Sequence, residues 1–233
     1  MQYMVELYIF KITLLFIIML FLISTITSLF ILSDIIMNIC NIEGRYYMNH
    51  FIGNMMIVCI TLPYMINSYT DIDTDIIHNN NIVNAISIVY STHIYHMLWY
   101  FSKLRYDDIL HHLIMVGVAL PLTILVSSNN LVGHCLFFIT GLPGGIDYFL
   151  LFLIRNNMMD KMIEKKLNRL INLWIRCPGC ISNVTLVLYN LIKYYNTISN
   201  TMLWASIIIM GTVFWNGIYF MEQVVVNYAL TIK

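Results

Sequence analysis

Asp107-Asp108-Ile-Leu-His111-His112 opens an apolar run from Leu113 to Val126. Two imidazoles at the mouth of a hydrocarbon-like stretch, just behind two carboxylates, are costly to place, and ionisable groups at membrane depth tend to mark functional sites. The chemistry on offer is acid–base. A neutral imidazole is a general base near pH 7, and a carboxylate behind it fixes its tautomer. Neighbouring residues on a helix point about 100° apart, so His111 and His112 cannot both face one substrate atom. One would move the proton while the other supports it. His93-x-x-His96 adds two imidazoles on a single helical turn. With His111 or His112 as a third ligand they could hold zinc or iron, but the repeated His-rich boxes of a membrane di-iron site are missing, so no metal is expected.

The elements that must position these groups follow from composition. Sixty per cent of the 233 residues are apolar and 10 % are formally charged, where a soluble domain carries about a quarter. Twelve basic residues balance twelve acidic ones, which leaves no electrostatic case for a nucleic-acid partner. The chain reads as an all-α integral membrane protein and as one domain over 1–233. Seven segments are long and apolar enough to span: about 12–32, 51–68, 82–101, 109–126, 131–154, 170–192 and 202–226. None alternates as a barrel strand does. Asn54 and Pro63 weaken the second, and Arg176 and Pro178 weaken the sixth, so six helices is the alternative. The first segment lacks a small-x-small cleavage site and reads as a retained anchor.

Charge between the segments sets an expected orientation. One side collects Arg45, Lys103, Arg105, Arg155, Lys161, Lys165, Lys166, Arg169 and Lys233, and the other has Lys11 and Lys193. Basic loops stay cytosolic, which predicts a lumenal N-terminus, a lumenal acidic loop over 71–81 and a cytosolic C-terminus. Met159, Met162, Ile163, Leu167 and Leu170 recur at helical spacing among lysines, predicting a short amphipathic helix over about 157–169, lying in the headgroup plane.

With that topology, polar residues inside the spans gather at one level. His93, His96, His111, His112, Asp147, Arg176 and Glu222 all fall within about 12 Å of the cytosolic ends of five helices at 1.5 Å per residue. Tyr90, Ser91 and Tyr100 share the neighbourhood. His134, near the opposite face, reads as a helix-tying hydrogen bonder, and Arg176 with Glu222 could form a structural ion pair. Cys177-Pro-Gly-Cys180 has the spacing of a redox pair or half a zinc site, but it lies inside a span where Pro and Gly mark a kink.

Tyr90-Ser91, the basic loop, Asp107-Asp108 and His111-His112, followed by Gly141-Leu-Pro-Gly-Gly-Ile-Asp147-Tyr-Phe, resemble the signature region of the TLC-domain family, which includes ceramide synthases and their non-catalytic relatives. The resemblance covers about 50–226, and its specific part runs from Tyr90 to Phe149. It implies an endoplasmic-reticulum-type multipass bundle enclosing a lipid-accessible cavity, with membrane lipids as partners. A homo- or hetero-oligomer is compatible with it. In the synthases the paired histidines, here His111 and His112, are essential for N-acylation of a sphingoid base. This chain departs from them: only Asp147 stands where they have a further acidic cluster, and there is no homeobox-like insert. The first functional expectation is therefore a protein that binds, traffics or regulates membrane lipids, with no bound cofactor. The alternative is an acyl-CoA-dependent N-acyltransferase with His111 or His112 as base, oriented by Asp108 or Asp147, in which acyl-CoA is co-substrate and His93, His96, Tyr90, Tyr100, Arg176 and Glu222 line the cavity.

Overall fold

An apolar chain in lipid must satisfy its backbone internally, and no strand occurs among the described residues. The computed structural model describes residues 2–70, 81–104, 106–123 and 129–232. Its helices are α1 (Gln2–Ile39), α2 (Arg45–Thr70), α3 (Asn81–Trp99), α4 (Tyr106–His111), α5 (Leu120–Leu122), α6 (Asn129–Leu136), α7 (Leu142–Arg155), α8 (Lys161–Ile171), α9 (Cys177–Lys193) and α10 (Asn200–Thr231). Wider π-helical segments, His112–Ala119, Phe137–Gly141 and Asn172–Arg176, join α4 to α5, α6 to α7 and α8 to α9 without a break. Seven rods result.

Five of them are long and apolar enough to cross a membrane: Thr13–Ile39, Arg45–Thr70, Asn129–Arg155, Lys161–Lys193 and Asn200–Thr231. They give the helical, multi-pass architecture of an integral membrane protein. The expected spans 82–101 and 109–126 correspond to α3 and to the rod over 106–122, which fall outside those five. α3 has only 19 residues and carries Asn81, Asn84, His93 and His96, and the apolar helix Ile109–Leu122 is short.

Six rods form a ring and one stands outside it. α2 packs on α3, α6 and α7; α10 packs on α8 and α9; the segment His112–Ala119 meets both α3 and α10. α1 lies against α3 and α2, presenting Phe16, Phe21 and Leu29 outward. Small residues let the rods approach closely. A Cβ on Gly133 would stand 2.3 Å from Tyr64 Cβ, and one on Gly179 would stand 2.2 Å from the Phe138 ring. Cys180 packs on Gly217, where an added Cβ would lie 2.7 Å from its own Cβ. Cys177-Pro-Gly-Cys180 is thus a helix-packing element: both cysteines are free and buried, and Pro178 stands in the first turn of α9.

Of the stretch expected to form an amphipathic helix over about 157–169, residues from Lys161 onward are helical. Helix begins at Lys161, capped by Asp160 through the Met162 and Ile163 amides at 2.7 and 3.3 Å, and runs on as one rod of 33 residues to Lys193. That helical part is the first turns of a long helix, with Glu164 and Ile171 buried. The expected lumenal loop lies mostly outside the described residues, which omit 71–80.

Candidate functional site

The ring encloses a cavity of about 450 Å³ lined from all six rods. Its lining is sorted by level along α2, α3, the 106–123 rod and α6–α7, while the α8–α9 rod lines only the polar level and α10 adds Phe220 and Val224 to it. Polar side chains sit at the ends adjoining the turn after α1, the 100–105 connection, the 156–160 connection and the C-terminus. They are Tyr46, His50 and Asn54 of α2, His93 and His96 of α3, His111 and His112, Asp147, Asn168, Asn172 and Arg176, with Asn216, Gln223 and Asn227 of α10. The opposite end is apolar, with Ile57, Val89, Met115, Val116, Ala119, Leu120, Leu136, Ile139, Ile209 and Val213. Thr92 and Thr123 line the cavity too, but each hydroxyl donates to its own helix, at 2.8 Å to Ile88 O and 2.6 Å to Leu120 O. From the histidine level to Thr123 is about 16 Å at the α-helical rise.

One wall is a contiguous set of five imidazoles. Ring centroids lie 5.5 Å apart for His50–His96, 5.0 Å for His96–His112, 5.1 Å for His93–His112 and 5.8 Å for His111–His112. Two have their tautomer dictated by the fold. His50 Nδ1 stands 2.9 Å from Tyr46 O and His93 Nδ1 stands 2.7 Å from Val89 O. A carbonyl only accepts, so Nδ1 carries the proton in each, and in the neutral ring Nε2 is the acceptor. The Tyr46 hydroxyl meets His96 Nδ1 at 3.0 Å. His111 lies edge-on to Phe220 of α10 at 5.4 Å.

The facing wall carries groups that lack partners. Asp147 Oδ1, Asn172 Oδ1, Arg176 Nε and both amide atoms of Asn216 are buried without a hydrogen bond among the described residues. Arg176 Cζ sits 5.2 Å from the Phe220 centroid, so its guanidinium leans on a ring face. All three π-helical segments contribute to the lining, through His112, Met115, Val116 and Ala119, through Ile139 and Thr140, and through Asn172 and Arg176. Such segments recur at functional sites because the extra backbone width re-aims side chains. Among the described residues no three His, Cys, Asp or Glu side chains are placed to hold a metal ion together.

Six of the residues singled out from sequence meet here: His93, His96, His111, His112, Asp147 and Arg176. Three do not. Glu222 is exposed on α10, and no ion pair with Arg176 occurs among the described contacts. Tyr90 is half-buried and packs against the apolar core. Tyr100 donates to Asp34 Oδ2 at 2.5 Å outside the cavity. The side chain of Asp108 lies outside the described residues. His134 ties helices as expected, meeting Tyr69 Oη at 2.8 Å and Asn183 Nδ2 at 3.3 Å. Sequence reading missed His50 and Tyr46, because the apolar run that flagged α2 starts at Phe51 while the helix starts at Arg45. It also missed Asn172 and Asn216, single amides in apolar surroundings, and buried Asp34, which pairs with Arg45 at 3.3 Å and accepts from Tyr95 at 2.5 Å.

No family model matches the chain, and no curated protein or solved structure is similar to it.

Proposed function

We propose that this chain is a TLC-type multipass protein of an endomembrane, such as the endoplasmic reticulum, that binds, traffics or regulates a membrane lipid. The observation that carries the reading is the sorting of the cavity into a polar end and an apolar end at matching levels on the surrounding rods. That is the shape of an amphiphile site: head among the histidines and amides, tail along Val116, Leu120, Leu136 and Val213. Its volume is that of a small-ligand pocket, commonly about 300–1,000 Å³. The basic ends of the rods support placing the polar end at the cytosolic face, with the N-terminus lumenal. Lipid profiles of cells expressing the wild type beside the His111→Ala/His112→Ala double variant test it. A lipid class should change with the wild type and return toward control with the variant. Indistinguishable profiles, together with purified protein that retains no amphiphile, overturn it.

A second reading is favoured by the imidazole wall itself. Five histidines beside Asp147, two with Nε2 as acceptor, suit a base that takes a proton from an amine or hydroxyl during transfer of an acyl group from acyl-CoA. In that case purified protein given a sphingoid base and a range of acyl-CoAs forms an amide. His111→Ala and His112→Ala then lose rate unequally, the proton-transferring one on the order of 10²–10⁴-fold. No product in that assay removes the catalytic reading and leaves the binding one.

A further inference from the structure

Resting on the lipid-handling reading, we infer that the cavity takes a single-chain amphiphile whose head is uncharged and rich in hydroxyl donors, and that it selects against phosphate, carboxylate and ammonium heads. The argument begins with formal charge. Among the described residues Asp147 and Arg176 are the only Asp, Glu, Lys or Arg lining the cavity, so that wall holds one charge of each sign. A head bringing net charge into this enclosed space would meet no excess of the opposite sign, and an uncompensated charge is expensive away from water. Donor and acceptor chemistry narrows the head further. Asp147 Oδ1, Asn172 Oδ1 and Asn216 Oδ1 are acceptors with no partner among the described residues. On the facing wall His50 and His93 use Nδ1–H on backbone carbonyls, leaving Nε2 as the acceptor of each neutral ring. Facing them are donors: Arg176, whose Nε has no hydrogen-bond partner among the described residues, and Asn216 Nδ2. A buried acceptor or donor left unmade is destabilising, so the wall calls for a head that both donates and accepts hydrogen bonds. A vicinal diol does both, whereas a phosphate mono- or dianion mainly accepts.

Size limits the tail. At about 30 Å³ per water-sized group, a cavity of about 450 Å³ holds roughly 15 heavy-atom groups. That room suits a diol head and much of one alkyl chain.

The test is displacement of a photoreactive single-chain alkyl probe from the purified, detergent-solubilised protein. The competitors are monoacylglycerol, lysophosphatidic acid, free fatty acid and alkylamine of equal chain length, with a diacyl phospholipid alongside. Monoacylglycerol should displace the probe at concentrations on the order of tenfold lower than the others. Asn216→Leu and Asp147→Asn should each weaken monoacylglycerol on the order of tenfold, about one hydrogen bond, while changing fatty-acid displacement less. The ranking of competitors on the wild type stands without the variants, should either fail to fold. Equal or tighter displacement by a charged head or by the phospholipid overturns this inference and leaves lipid handling intact. Failure of the probe to label the cavity at all overturns both.

Discussion

Asp34 shows what one residue does for the site without touching it. Its buried carboxylate accepts from Tyr95 and Tyr100 and pairs with Arg45, so it ties α1 to α3 and to the start of α2. Tyr46, one position on from Arg45, then reaches His96. Asp34→Ala leaves three donors facing a void, and the cost should be about 1–3 kcal/mol, read as earlier thermal unfolding of the solubilised protein. Tyr46→Phe removes only the hydroxyl on His96. It should leave unfolding nearly unchanged while weakening probe binding to the cavity by about 3- to 10-fold. Equal effects of the two variants on unfolding would contradict this division of roles. Asp34 and His50 escaped the sequence reading for one reason. A hydropathy run ends where polar residues begin, so groups on helical turns beyond the apolar run, as Asp34 and His50 are, are cut off from it. His93, His111 and Asp147 stood inside or at the mouth of apolar runs and were legible because burial there is costly.

At the scale of elements, close approach decides stability. Gly133→Ala drives a methyl into Tyr64, whose Cβ would be 2.3 Å away, while an alanine at Gly211 meets nothing within 4 Å. The first should destabilise by about 1–3 kcal/mol; the second should be neutral or stabilising by up to about 1 kcal/mol through helix propensity. Thermal unfolding of the pair measures the contrast, and loss at both positions would mean that backbone flexibility, not packing, is being read. Helices were legible because composition leaves few other options for the backbone. The continuity of α8 into α9 was not. Its basic turns look like a surface helix by themselves, yet Lys165 donates to Asn227 at 2.9 Å and Arg169 lies over the Tyr228 ring at 4.5 Å. α10, some sixty residues further along, turns a polar stretch into a packed one. The π-helical segments carry no composition signal at all, since they arise from how neighbouring rods fit.

For the whole molecule, the ring of six rods with α1 outside explains why the first helix is the most exposed of the five long helices, with 11 % of its apolar stretch buried against 33–39 % in the other four. On the proposed orientation, with basic ends cytosolic, a glycosylation acceptor placed in the 71–80 connection should be modified and one after Lys233 should not. Modification of the C-terminal tag would reverse the orientation. On the proposed lipid-binding function and orientation, the sorting of the cavity would make the protein sided with respect to lipid supply. A single-chain lipid in the leaflet at the basic face already has its head at the level of the histidines and its tail pointing inward. One in the opposite leaflet is inverted, and would enter only after turning its head through the hydrocarbon. Loading is therefore a property of one monolayer: vesicles carrying the diol lipid on that side alone should fill the protein at once, and those carrying it on the other should fill it at the pace of spontaneous flip-flop.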